Sequence, residues 1–229
     1  ALSSAASDVY KRQGMDGVYP IVAGAVEGER KQRIIEHIKN PKEMWSNAGI
    51  SAVDMSASYY FDDGYWNGNV WMSHQWFIWK TMLDNGEADF AFDIAKLALD
   101  MWKEETDFTY NTYECFGIAT RRGGWFHNFG GLSAPICIWA NAYFKPQTVT
   151  TGFDVWTDYQ KTTDTSAEIK FKYFGNCDKY TMVVTLSDRA QYTAYLDGKE
   201  ISFNERNKGS LEFTFKKDVK GGVLEIKEK

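Results

Sequence analysis

At 229 residues the chain can bury a substantial core, as one large domain or two small ones. Its net charge of −5 argues against a nucleic-acid partner, which demands a basic surface, and no apolar run is long enough to span a bilayer. Aromatic content is the outlier: nine Trp, thirteen Tyr and fifteen Phe, with the Trp concentrated before residue 140. Aromatic rings fill cores, and they also form the flat platforms on which sugar rings stack, so composition leaves both readings open.

The segment Ala1 to Ser7 is small and polar, without the charged start and apolar centre of a signal peptide. Ser7 to Gln13 looks like a tail left on proteins read from truncated environmental sequence, so residues 1–14 are expected to be a non-native or disordered tail. Residues 20–146 read as helical hairpins with long loops. Glu27 to Asn40 carries Ile34, Ile35 and Ile38 on one face and stops before Pro41, which opens a short helical turn through Trp45. After a loop from Asn47 to Gly68, a helix from Val70 to Asp84 is too rich in Trp, Phe, Ile and Met to face water widely. Asn85-Gly86 is a helix stop, since Gly adopts the left-handed conformation without strain. Glu87 to Glu105 repeats apolar pairs (Phe90/Ala91, Ile94/Ala95, Leu97/Ala98, Met101/Trp102) at the helical period. A loop from Thr106 to Gly131 leads into a last helix, Leu132 to Phe144, ended near Pro146.

From Gln147 the period becomes two. Ile169, Phe171 and Tyr173 alternate with lysines, and Leu211, Phe213 and Phe215 alternate with Glu212 and Thr214. Tyr180 to Leu186, Tyr192 to Phe203 (folded at Asp197-Gly198) and Val223 to Lys227 add strands. The expected fold is therefore mainly α plus β. A helical unit spans 15–146, and a small antiparallel β-sandwich spans 147–229. The helical hairpins carry more apolar face than they can bury among themselves, which implies further helices upstream. Cys115, Cys137 and Cys177 are odd in number and show no CxxC spacing, so neither a disulfide framework nor zinc is expected, and nothing calls for a cofactor.

Three segments carry candidate chemistry. In Tyr65-Trp66-Asn67-Gly68-Asn69-Val70-Trp71, followed by His74-Gln75-Trp76, a Gly at a loop-to-helix junction permits tight backbone geometry. Trp66 and Trp71 there suit either a sugar platform or a Trp-rich core. In Asn111-Thr112-Tyr113-Glu114-Cys115-Phe116-Gly117, a lone Glu sits among aromatics, where a solvated charge fits badly. It serves either to bond loop amides or as one of the two carboxylates that glycoside hydrolysis needs. In the third segment, Arg121 to Gly131, two Gly pairs bracket Trp125, Phe126, His127 and Asn128 just before a helix. A lone His is more often structural than catalytic, and Arg121-Arg122 either stays exposed or neutralises Asp62-Asp63 or Glu104-Glu105.

In this order and spacing the three segments resemble the C-terminal third of glycoside hydrolase family 63 and its trehalase-like and mannosylglycerate-hydrolase-like relatives. The family's Trp-x-Gly-x-x-Trp element matches Trp66 to Trp71. Its glutamate in an aromatic context matches Glu114, and its Gly- and aromatic-rich loop before the final barrel helix matches Gly124 to Gly131. Gly17-Val18-Tyr19-Pro20-Ile21 also resembles a segment that opens a barrel helix. The resemblance covers residues 15–155. It implies the last helical hairpins of an (α/α)6 barrel and an inverting mechanism with Glu114 as general base. The general acid, an aspartate, belongs to an earlier part of the barrel; Asp54, Asp62 and Asp63 do not match its motif. Tyr65, Trp66, Asn67, Gly68, Trp71, Gln75, Tyr113, Trp125, His127 and Asn128 would line a site for an oligosaccharide or glycoside. Asn67 stands where many members have Arg, which bears on which sugar is held. The family's habits suggest a periplasmic or extracellular location. Two other readings predict different behaviour. A toroidal polysaccharide lyase would use Tyr113, His127, Asn128 and Arg121 around a uronate, and a non-catalytic sugar-binding protein would use only Trp66, Trp71 and Trp125.

Overall fold

A computed structural model describes residues 14–229; of the tail expected at 1–14, residues 1–13 lie outside the described residues and Gly14 bridges Val53. The chain divides into two compact units. One joins the residues up to Ile78 with Asp93–Ile136, and the other joins Trp79–Phe92 with Cys137–Lys229. Helix and antiparallel sheet are mixed. The described residues hold five α-helices: α1 (Tyr19–Val22), α2 (Gly28–Lys39), α3 (Met72–Asp84), α4 (Ala88–Thr109) and α5 (Gly130–Phe144). None of them is long and apolar enough to cross a membrane.

Local chemistry accounts for the helix limits. Ile35 and Ile38 bury one face of α2, and Asn40, held at ψ 119° before Pro41, cannot continue it. Residues 41–44 then make a turn on the Asn40 carbonyl instead of a helix. Trp45–Ser46 (β1) pairs with Gly49–Ile50 (β2) in a small hairpin. Gly86, at φ 68°, terminates α3. Helix α4 runs one turn past the expected Glu105, because Thr106 and Thr109 return their hydroxyls to the Trp102 and Glu105 carbonyls. Within the expected loop 106–131 lies a second hairpin, Tyr113–Phe116 (β3) against Gly123–His127 (β4).

The second unit contains two antiparallel sheets. Its strands are β5 (Thr148–Thr150), β6 (Val155–Thr162), β7 (Ala167–Tyr173), β8 (Lys179–Thr185), β9 (Tyr192–Leu196), β10 (Lys199–Ile201), β11 (Asn204–Asn207), β12 (Ser210–Lys216) and β13 (Gly221–Glu228). Their orders are β10-β9-β13-β7-β6 and β11-β12-β8-β5. The alternating residues seen in the sequence make one core: Ile169, Phe171, Tyr173, Leu211, Phe213 and Phe215 are buried with Tyr180, Met182 and Leu224. Asp197 and Gly198, both at positive φ, form the two-residue turn between β9 and β10. Glu212 breaks the alternation, since it is buried yet charged. Arg206 holds both its oxygens, with Nε at 2.9 Å and Nη2 at 2.8 Å.

At the end of α3 another carboxylate is buried. Asp84 accepts the amides of Phe153 (2.7 Å) and Asp154 (3.0 Å). A Cβ at Gly152 would lie 1.8 Å from Asp84 Oδ1, so the approach requires glycine. Burial pushes the Asp84 carboxyl up to about 7, only partly opposed by the two amide bonds and Lys80. The folded protein therefore keeps this proton where the unfolded chain has lost it. Stability from this group is full below the ordinary carboxylate range and is lost as pH rises toward 7. Thermal unfolding followed across pH 4–7 should show a midpoint that declines with pH through this term, and Asp84→Asn should flatten that slope.

Candidate active site

The site is built on the loop from Phe61 to Asn69, folded tightly on itself. Phe61 N donates to Asn67 O (3.0 Å), Gly64 N to Phe61 O (2.8 Å) and Asn69 N to Gly64 O (2.9 Å). Asn67 Nδ2 donates to Tyr59 O at 2.6 Å. A Cβ at Gly68 would fall 1.8 Å from Phe61 O, so only glycine fits there. The fold of the loop turns Trp66 outward, 62% exposed, onto buried Trp71; the two indoles stack at 4.4 Å with 4° between planes. One face of Trp66 is thus backed by a second indole.

This loop is joined to hairpin β3/β4 by a reciprocal backbone pair, Val70 N to Phe116 O (2.8 Å) and Phe116 N to Val70 O (2.9 Å). In the hairpin, Tyr113 faces His127 and Cys115 faces Gly124, so Trp125 and Phe126 of β4 together oppose Glu114 and the bulge lies on β4. Such a bulge re-aims the side chains it carries, Trp125 among them. Glu114 is 7% exposed, and Tyr65 donates its hydroxyl to Oε1 at 2.5 Å. Oε2 is buried without a hydrogen-bond partner among the described residues. Leaving such an oxygen unsatisfied costs about 1–3 kcal/mol. That bond to Glu114, helped by burial, pushes the Tyr65 hydroxyl up to about 12. Beneath them, Ala52, Trp71 and Cys115 form a small apolar floor against which Tyr65 and Leu132 pack. Burial pushes the Cys115 thiol up to about 11, so it stays a neutral core group.

Trp125 closes one side. Its ring meets that of Tyr65 edge-on at 4.7 Å, and its backbone is held at φ 64°, a strained position for an aromatic residue. Asn69 satisfies both neighbours with its amide nitrogen on Asp62 O and its oxygen on Trp125 Nε1, each at 3.2 Å. A Cβ at Gly123 would fall 2.2 Å from the Tyr113 ring, which explains the glycine at the start of β4.

A buried carboxylate with one tied and one unpartnered oxygen thus stands beside a stacked and outward-facing Trp. A family model described as the mannosylglycerate hydrolase MGH1-like glycoside hydrolase domain matches residues 3–121. The chain belongs to that family. The family resemblance is thereby borne out; the matched residues hold the first two motifs, and the third lies beyond Arg121. No curated protein matches. An uncharacterized conserved protein from Thermus thermophilus is similar at 20% identity over 56% of this chain and 32% of its own, with a TM-score of 0.49. The GH63 mannosylglycerate hydrolase from the same organism, in complex with glucose, aligns at 21% identity over 56% and 31%, with a TM-score of 0.48. A GH127 β-L-arabinofuranosidase from Geobacillus stearothermophilus aligns at 11% identity over 93% and 41%, with a TM-score of 0.34. The chain spans about a third of the length of the two Thermus proteins.

In this MGH1-like chain the residues picked from the sequence divide into groups. Tyr65, Trp66, Trp71, Glu114 and Trp125 converge on one place, with Tyr113 adjacent in β3. Asn67 and Gly68 shape the loop. Gln75 is engaged elsewhere: both ends of its buried amide clasp the Ile50 backbone, at 2.8 and 2.9 Å. His127 and Asn128 are exposed at the end of β4, Asn128 at φ 60°. Asn69 was not among the candidates; its only signal was a polar side chain between Gly68 and the apolar start of α3. Arg122 binds the buried Glu105 through Nε (2.6 Å) and Nη2 (3.1 Å), and Arg121 reaches Glu104 at 3.4 Å. The arginine pair thus neutralises Glu104-Glu105. Burial raises the Glu105 carboxyl, but Arg122 and the Gly123 amide outweigh that and leave it below the ordinary range. Among the described residues His37, Glu43 and Asp54 bring metal-type ligand atoms within 4.8 Å, and His37 Nδ1 already bonds Glu43 at 2.9 Å.

Two glycines with opposite surroundings test the loop geometry. Gly68→Ala should destabilise by about 1–3 kcal/mol through overpacking against Phe61 O. Gly131→Ala, in α5 with open space around it, should stabilise by roughly 0.5–1 kcal/mol. Urea unfolding of both variants measures the difference.

Proposed function

We propose that the enzyme carrying this chain is an inverting glycoside hydrolase with Glu114 as its general base, acting on an O-glycosidic bond of the α-glucoside or α-mannoside type. The observation that carries this reading is the buried Oε2 of Glu114, unpartnered among the described residues. Tyr65 donates to Oε1, which leaves Oε2 as the unpartnered oxygen to take a proton from water. In the proposed step a water bound at Oε2 loses its proton there while its oxygen bonds to the anomeric carbon. The glycosidic bond breaks on the opposite face, and a carboxylic acid protonates the departing oxygen. That acid is proposed to be an aspartate outside these residues. An inverting pair stands about 6.5–9.5 Å apart, leaving room for the water. Trp66, whose outer face is open, and Trp125 would stack the sugar.

The same reading takes residues 15–146 as the last hairpins of an (α/α)6 barrel and 147–229 as a β-sandwich. Family membership supports the glycosidase class. The engagement of Arg121 and Arg122 with Glu104 and Glu105 weakens the lyase alternative, which needs free cations for a uronate.

A base contributes about 10²–10⁴-fold to rate. In the enzyme at its natural length, Glu114→Gln should lower kcat by that factor while sugar binding, followed by Trp fluorescence, stays within a few-fold. Near-normal turnover would remove Glu114 from the mechanism.

A further inference from the structure

We infer that Tyr65, beyond any contact with sugar, is a positioning residue for the base, holding Glu114 Oε1 so that Oε2 alone addresses the attacking water. The inference rests on the proposal that Glu114 is the base.

Several contacts leave the Tyr65 hydroxyl a single direction. Its ring is met edge-on by three indoles: Trp71 at 4.8 Å, Trp125 at 4.7 Å and Trp66 at 5.0 Å. Its own carbonyl accepts Trp71 Nε1 at 2.9 Å, which ties its backbone to the start of α3. The hydroxyl then meets Oε1 at 2.5 Å, a charge-assisted distance. Glu114 needs this support. It sits opposite the bulge of β4, where the ladder registers no partner for it, and among the described residues no second partner holds its other oxygen. Without Tyr65, the carboxylate could rotate and present either oxygen. The phenol keeps its proton throughout the working range of an enzyme, since the bond to Glu114 holds it up to about 12. It therefore donates at every relevant pH and does not itself titrate during turnover. Trp125 then acts through Tyr65. Its strained backbone, at φ 64°, is held where the ring closes the box, and Asn69 keeps its indole nitrogen in place.

A positioning role and a substrate contact separate in kinetics. Tyr65→Phe keeps the ring and its three indole neighbours and removes only the oxygen. In the enzyme at its natural length, kcat should fall about 10- to 100-fold, the scale expected when a reacting group is misplaced by about 1 Å. KM should stay within about threefold. A KM increase with unchanged kcat would make Tyr65 a sugar ligand and overturn the inference, as would unchanged kcat and KM together. Glu114→Gln, assayed alongside, distinguishes the two levels. If it is active, the base assignment has failed; if it is inactive while Tyr65→Phe is normal, only the positioning role has failed. Thermal melting of Tyr65→Phe checks that its fold is retained. If the variant is unfolded, Trp125→Phe, which leaves the Tyr65 hydroxyl in place but removes the Asn69 anchor, should show a smaller kcat loss in the same direction; unchanged kcat there would overturn the inference.

Discussion

The reciprocal backbone pair between Val70 and Phe116 is the constraint on which the site depends. These residues are far apart in sequence, yet two bonds of 2.8 and 2.9 Å join the Trp-bearing loop to the strand that carries Glu114. Without that bridge, Tyr65 and Glu114 would belong to separate loops and a 2.5 Å contact between them would have no reason to persist. The loop has to be compact for the bridge to form, which is why Gly68 lies against the Phe61 carbonyl. The hairpin slips by one residue opposite Glu114, and the extra residue in β4 lies where Trp125 turns its ring onto Tyr65. Backbone geometry therefore positions the chemistry, and the aromatic rings stabilise what the backbone has arranged.

Buried carboxylates elsewhere in the chain make Glu114 distinctive. Glu105 is held by Arg122 and the Gly123 amide, Glu212 by both nitrogens of Arg206, and Asp84 by two amides. Each has its charge or its lone pairs answered, as burial requires. Among the described residues Glu114 has one hydrogen-bond partner, a neutral phenol, and one bare oxygen. A group retained in that state is maintained against a cost, which supports the proposal that it takes a proton from water.

The sequence conveyed regular elements better than it conveyed the site. The alternation of Ile169, Phe171 and Tyr173 with lysines reported a sheet with one buried face, and the apolar pairs of 90–102 reported α4, because burial imposes those periods directly. The hairpin at 113–127 was read as loop. Its strands are four and five residues long, one carries two glycines, and β4 is largely exposed, so no alternation develops. Apolar neighbours single out Glu114 in the sequence, and its side chain is buried in the fold. The bulge opposite it and its phenol partner are illegible there, since both depend on pairing between separate segments. Gln75 looked like a ligand contact because it follows the Trp motif. In the fold its amide stitches Ile50 to α3, a role that polar residues in buried helices often have and that local sequence does not mark.

The central claim is that Glu114 delivers water to the anomeric carbon and never bonds to it. The most direct measurement is the configuration of the first-formed sugar, followed by proton NMR in the opening minutes of hydrolysis, before mutarotation mixes the anomers. An α-glycoside giving the β-anomer first is the result predicted from a base with one open oxygen. First release of the α-anomer would mean a covalent glycosyl-enzyme, and Glu114 would then be a nucleophile or a bystander.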